Sequence, residues 1–210
     1  MKVPEVNPKI ILASQSPRRR YLLERAGLKF SVIPSSIDET ALPADDPVLL
    51  VQDLAEAKAA EVSERFPESW VIAADTIVVV EGRVLGKPGS EAEARTMLAR
   101  LSGRTHQVLT GYCLRCRRRG QLISETVSTD VLFKTLSAVE IDWYIRTGEP
   151  FDKAGAYAIQ GIGTFLVKRI NGSYTNVVGL PVCEVIEHLL RQGVVGWDPA
   201  AANALEVQTV

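Results

Sequence analysis

The chain has 210 residues, 46% of them hydrophobic, with 24 Lys and Arg against 25 Asp and Glu. That length builds one sizeable core, or two lobes sharing a sheet, and near-neutral charge excludes a long-range pull toward a nucleic-acid polymer or a membrane. No apolar run reaches the roughly 20 residues of a membrane span, the first nine residues lack the apolar region of a secretion signal, and three cysteines make no disulfide framework, so a cytoplasmic protein with a small anionic ligand is expected.

Residues 1–8 read as loose. Ile10 to Ala13 then reads as a buried strand, followed by a polar turn and a helix from Pro17 that stops before Gly27. Ser16 suits the N-cap and Pro17 the first helical turn, where its missing N–H would be unpaired anyway. Leu22, Leu23 and Ala26 supply the buried stripe. Free N–H groups at the helix start, the hydroxyls of Ser14 and Ser16 and the guanidinium groups of Arg18 and Arg19 can converge on one point, an anion site suited to phosphates. Three arginines in a first turn oppose the helix dipole, which a counter-anion would explain; a solvated basic face on an ordinary helix accounts for the charge equally well.

Lys29 to Pro34 makes a short strand, and Ser35 to Asp45 a polar loop carrying Asp38 and Glu39. Adjacent acids in a loop usually face solvent, but so close to a phosphate site a metal-binding role stays open. Pro47 opens an amphipathic helix to about Phe66, with Leu50, Leu54, Ala57 and Val62 on the apolar side and Lys58 expected as a solvated charge.

Trp70 to Val80 is the most hydrophobic segment and reads as a strand buried on both faces. Asp75 stands in its middle. An unpaired buried carboxylate costs several kcal/mol, so Asp75 is expected in a cleft beside a cation or metal rather than in a structural hydrogen bond. Glu81-Gly82 makes a hairpin turn and Lys87-Pro88 ends the returning strand; Lys87 there is a plain loop charge or, given its place after the Asp75 hairpin and an expected phosphate site, a ligand contact, which is the favoured reading.

Ser90 with Glu93, and Ser137 with Glu140, are capping boxes for two helices, the first running to Gly103 and the second through Thr147. Between them Gln107 to Cys116 and Gln121 to Leu132 form a hairpin. Cys113 and Cys116 lie three apart in a strand and face opposite sides, which favours packing over zinc or redox work. Asp152 to Gly163 is rich in Gly and Ala, as a backbone approached closely by a ligand would be, and Gln160 can read a base edge; a plain glycine-rich turn into a strand over Thr164 to Ile170 is the alternative. Leu180 to Gln192 is a last helix, and residues 193–210 read as a poorly ordered tail after a single domain over 1–192. No P-loop, dinucleotide fingerprint or nucleophile elbow is present, and His106 and His188 have no metal-ligand spacing, so acid and base chemistry falls to carboxylates, Asp75 first.

Ala13-Ser14-Gln15-Ser16-Pro17-Arg18-Arg19 with Leu22-Leu23, then Ala74-Asp75-Thr76, Gly86-Lys87-Pro88, Ser102-Gly103 and Asp152-Lys153-Ala154-Gly155-Ala156-Tyr157 through Gln160-Gly161 resemble, in order, the Maf (septum-formation) family of nucleoside triphosphate pyrophosphatases. The resemblance spans about Ile10 to Gln192. It implies hydrolysis between the α and β phosphates with a divalent metal, Mg²⁺ or Mn²⁺, and Asp75 as proton acceptor from water. It assigns Ser14, Arg18, Arg19, Lys58 and Lys87 to the phosphates, and Glu39 with Asp75 to the metal. Arg18, Thr76 and Gln160 match the family's dTTP/UTP branch rather than the 7-methyl-GTP branch. Asp75 and Thr76 would both line a pocket only if the strand ended or bulged there. The expected architecture is α/β: a mixed twisted sheet with flanking helices, two lobes around a central cleft, with a homodimer the family's usual state. Hydrolysis of modified nucleotides, and nucleotide sensing in cell division without turnover, are the rival functions.

Overall fold

The computed structural model describes residues 9–38 and 46–196. One seven-stranded sheet organises it, in the order β2-β1-β3-β5-β6-β7, with β4 beside β3. The strands are β1 (Ile10–Leu12), β2 (Ser31–Val32), β3 (Trp70–Val80), β4 (Arg83–Leu85), β5 (Thr105–Cys116), β6 (Gln121–Phe133) and β7 (Val167–Asn171). β1 pairs in parallel with β2 and β3; the other pairings are antiparallel. The helices are α1 (Pro17–Arg25), α2 (Pro47–Arg65), α3 (Glu91–Leu101), α4 (Ala138–Arg146), α5 (Tyr174–Val178) and α6 (Val182–Arg191).

The two faces of β3 serve different layers. Val71 and Ala73 pack with Ala55, Ala59 and Val62 of α2, whereas Trp70, Ile72 and Ala74 pack with Val185 and Leu189 of α6 and Leu22 and Leu23 of α1. Further along, Val78 and Val80 join α3 and α4 around Leu98, Leu101, Phe133 and Tyr144. These cores define the two lobes, and β3, β5 and β6 run through both.

Several local expectations change on packing. The buried stripe of α2 runs Val51, Leu54, Ala55, Lys58, Ala59, Val62, so Lys58 lies on the buried face and is no solvated charge. Ala26 is exposed at the C-cap of α1, after the helix has ended. Ser137 and Glu140 close a reciprocal capping box, but Glu93 accepts from the Gly89 N–H instead of that of Ser90. A 3₁₀ segment, Gly161–Leu166, occupies the start of the strand expected from Thr164. Cys113 and Cys116 do fall in cores on opposite faces of the sheet. Of the expected tail, Val194 is buried against α6, its N–H bonded to the Leu189 carbonyl; 197–210, like 1–8, lie outside the described residues.

Gly111 of β5 sets the distance between α2 and the sheet. It is paired with Asp75, and a Cβ there would stand 2.2 Å from the Val51 carbonyl oxygen of α2. Both neighbours are backbone, so the clash cannot be relieved by a rotamer change. Gly111→Ala is therefore expected to destabilise the fold by about 1–3 kcal/mol, because the overpacking outweighs the ~0.5–1 kcal/mol that replacing a strand glycine would return; the urea midpoint measures it.

Candidate functional site

The cleft originates in an interruption of one edge of β3. On that edge β1 pairs with Trp70 to Ile72 and β4 with Val78 to Val80, so residues 73–77 have no strand beside them. On the opposite edge β5 pairs without interruption from Val71 to Val79. The strand therefore neither ends nor bulges at Asp75, contrary to the condition set by the sequence. Asp75 and Thr76 point to opposite faces, and both reach the cleft because it wraps around the uncovered edge.

The cleft has a volume of about 920 Å³ and is lined by Ser14, Arg18, Arg19, Lys58, Asp75, Thr76, Lys87 and Gln160. Every described residue that the sequence singled out for phosphate, base or catalysis thus reaches one cavity. Glu39 lies outside the described residues.

On the α2 face, Lys58 Nζ donates to Asp75 Oδ1 at 2.7 Å, with the two side chains 8% and 14% exposed. A pair this enclosed is useful mainly for geometry, since desolvation of the charges consumes most of their attraction. Asp75 Oδ2 has no hydrogen-bond partner among the described residues, which leaves that oxygen for chemistry.

On the other face the Arg19 guanidinium does the work of a missing strand. Its Nη1 donates to the Ala74 carbonyl at 2.7 Å and to Ser14 Oγ at 3.3 Å, its Nε to the Gly179 carbonyl at 2.7 Å, and its Nη2 to Thr76 Oγ1 at 3.1 Å. Thr76 also shares a 2.9 Å bond with Thr110 Oγ1. Arg19 and Thr76 are thus engaged by the protein's own groups. Ser14 Oγ accepts from the Ser16 N–H, fixing the turn before α1.

Arg18 spans the cleft, with Nη1 2.7 Å from Asp152 Oδ2 and Nη2 3.3 Å from the Asp152 carbonyl. Burial works to raise the Asp152 carboxyl, but hydrogen bonds from Lys153 and Arg18, and their charges, hold it below the usual carboxylate range. Lys87 is exposed on the far wall and forms no ion pair with a described residue. Asp152 and Lys153 were visible in the sequence only as part of a motif; the pairing of Asp152 with Arg18 across the cleft had no sequence signal.

Tyr157 begins the segment that carries Gln160. Its hydroxyl lies 2.8 Å from His106 Nε2, and both rings stack edge-on with Phe133. His106 is 2% exposed, and burial pushes its pKa down to about 4.

A solved HAM1 protein from Coxiella burnetii represents the class of α/β fold found here. It aligns over 87% of this chain and 98% of its own with a TM-score of 0.50 at 15% identity, a likeness of fold alone. The chain belongs to the Maf family, whose Maf-like protein model matches residues 9–192. Among its relatives, the dTTP/UTP pyrophosphatase of Syntrophus aciditrophicus (strain SB) is 50% identical over 185 residues, 88% of this chain and 90% of that protein. Those of Geobacter sp. (strain M21) and Halalkalibacterium halodurans are likewise 50% identical, over 190 and 184 residues, covering 90% and 88% of this chain and 98% and 96% of theirs.

The His106 shift has a sign that can be checked. A depressed folded-state pKa means that the unfolded chain binds the proton first, so stability is intact above about pH 6.5 and is lost as pH falls from there toward 4. Relative to His106→Gln, the native chain is expected to lose about 2 kcal/mol more between pH 7 and pH 5, at ~1.4 kcal/mol per pH unit, read from urea midpoints at the two pH values.

Proposed function

We propose that this chain hydrolyses dTTP and UTP to the monophosphate and pyrophosphate, in the cytoplasm and as a homodimer. The observation that carries the reading is the uncovered middle of β3, where a carboxylate with one oxygen fixed by Lys58 faces a cleft rich in cations. The 50% identity to enzymes named for that reaction supports the substrate class.

Asp75 Oδ2 takes a proton from water as the water oxygen bonds to the α phosphorus; the bond from that phosphorus to the α–β bridging oxygen breaks, and the bridging oxygen leaves with pyrophosphate. Lys58 holds the carboxylate in place for that transfer. Arg18 and Lys87, from opposite walls, meet the phosphate charge, and Ser14 at the start of α1 adds a hydroxyl. Arg19 secures the turn and β3 beneath them. Without substrate Arg18 is answered by Asp152, so phosphate charge can replace an internal counter-ion at that guanidinium.

Among the described residues no three Asp, Glu, His or Cys side chains form a metal cage. A donor set of this kind suits Mg²⁺ or Mn²⁺ shared with substrate phosphates, which needs one or two carboxylates; Asp75 and Glu39 would hold it. Such an ion would supply charge stabilisation on the phosphates. Gln160, with one acceptor and two donors on its amide, reads the pyrimidine edge.

Pyrophosphate release from a panel of nucleoside triphosphates, with Mg²⁺ or Mn²⁺ and with chelator, tests the reading. dTTP and UTP are expected to lead, chelation to abolish turnover, and Asp75→Asn to lose at least ~10²-fold in kcat. Near-normal turnover by that variant would refute Asp75 as the base.

A further inference from the structure

The glycines after Gln160 do something other than admit a ligand. A Cβ on Gly161, whose φ is +71°, would stand 2.6 Å from Glu149 Oε2, and one on Gly163 would stand 2.6 Å from Tyr144 Oη and 3.1 Å from Glu149 Oε1. The space is already taken by a carboxylate and a phenol of the chain itself and, at Gly163, by the Ala158 carbonyl oxygen at 2.4 Å. Glu149 Oε2 accepts the Ile162 N–H at 3.0 Å, and Oε1 accepts the Gly163 N–H at 2.8 Å and the Tyr144 hydroxyl at 2.8 Å. Tyr144 Oη in turn accepts the Ala158 N–H at 3.2 Å. Successive N–H groups form a small anion-binding concavity, and here an internal acid fills it.

The segment gripped in this way is the one that carries Gln160: Ala158 is held two residues before it, Ile162 and Gly163 two and three residues after. Gln160 itself makes no side-chain hydrogen bond with a described residue, so nothing but its backbone fixes where its amide is presented. That matters for selectivity. The amide meets a uracil or thymine edge with an acceptor opposite N3–H and a donor opposite a ring carbonyl, and an amide displaced from that place loses the match and with it the distinction from the reversed pattern of cytosine. A base-reading glutamine discriminates only as well as the chain beneath it is held.

We propose that Glu149, with Tyr144, is a positioning residue for nucleobase selection: its carboxylate clamps the 158–163 segment and thereby fixes the presentation of Gln160. This rests on the reading above that Gln160 contacts the base. Glu149 is not among the residues that line the cleft, so its loss acts on base discrimination and substrate affinity ahead of the chemical step. Replacing Glu149 by glutamine preserves the volume but turns an NH₂ toward one of the two backbone N–H groups, breaking the grip without opening a cavity.

The test compares kcat/KM for dTTP and for dCTP in the native enzyme, Glu149→Gln, Gln160→Ala and the double variant. Expected for Glu149→Gln is a fall of about tenfold in the dTTP/dCTP ratio, with KM for dTTP rising by a similar factor and kcat changing by less than ~3-fold, the pattern of lost binding. The double variant should have the same ratio as Gln160→Ala alone, since a residue acting through another adds nothing once that one is gone. A uniform loss on both nucleotides with the ratio intact, or multiplicative effects in the double variant, overturns the proposal. An unchanged ratio in Gln160→Ala overturns the base-reading role of Gln160 itself. A changed ratio there beside an unchanged one in Glu149→Gln overturns only Glu149. Should Glu149→Gln fail to fold, Tyr144→Phe, which removes a single hydroxyl from the same network, must lower the ratio; a native ratio in that variant overturns the proposal.

Discussion

A strand carbonyl with no neighbouring strand has to find a donor elsewhere, and the donor found by Ala74 is the Arg19 guanidinium. Leaving it unpaired would cost roughly 1–3 kcal/mol. The same planar fork reaches Gly179, Ser14 and Thr76, tying the first helix, the central strand and the turn before α6 into one unit. Lysine could not replace it, having a single ammonium in place of the fixed array of donors. The cleft exists because β1 and β4 leave the middle of β3 uncovered, and there Arg19 supplies a donor to the Ala74 carbonyl on one side while Lys58 pairs the Asp75 charge on the other.

The charges in the cleft are arranged by the same logic. Lys58 answers Asp75, and Arg18 and Lys153 answer Asp152. The buried pair is of the kind whose net stability is small but whose disruption is expensive, because the survivor is left without a partner in a poor solvent. The pair across the mouth is exposed enough to be exchanged for a ligand's phosphates at little expense. Depth thus separates a fixed pair, suited to orienting a base, from a replaceable one, suited to admitting an anion.

Much of this could be read from the sequence, and the parts that could not share a cause. The extent of β3, the Ser16 cap with Pro17, the hairpin turn at Glu81-Gly82 and the Ser137 box are local signals, and local chemistry decided them. Asp75 was legible because a carboxylate inside eleven apolar-rich residues has so few ways to exist. Lys58 was misjudged as a surface charge because helical phase alone does not reveal that its partner stands on a strand opposite. The short α5 was missed, since five residues carry no periodicity, and the glycines at 161 and 163 were read as room for a ligand or as a plain turn, where Glu149 and Tyr144 stand instead. For Lys58 and the two glycines the missing information was a neighbour elsewhere in the chain, Asp75 for the first and Glu149 with Tyr144 for the others. Ser14, Arg18, Lys87 and Gln160 were nominated by local chemistry and again by the order of motifs, and the geometry adds that they share one cavity.

Among the described residues the two lobes are joined by shared strands. β3, β5 and β6, of 11, 12 and 13 residues, cross from one to the other as unbroken ladders. Relative movement of the walls must therefore be taken up as extra coiling of those ribbons, shared among many peptide units, and no single dihedral can act as a pivot. Such a jaw works like a leaf spring: its gape changes by small increments, and the restoring force is built into the sheet itself.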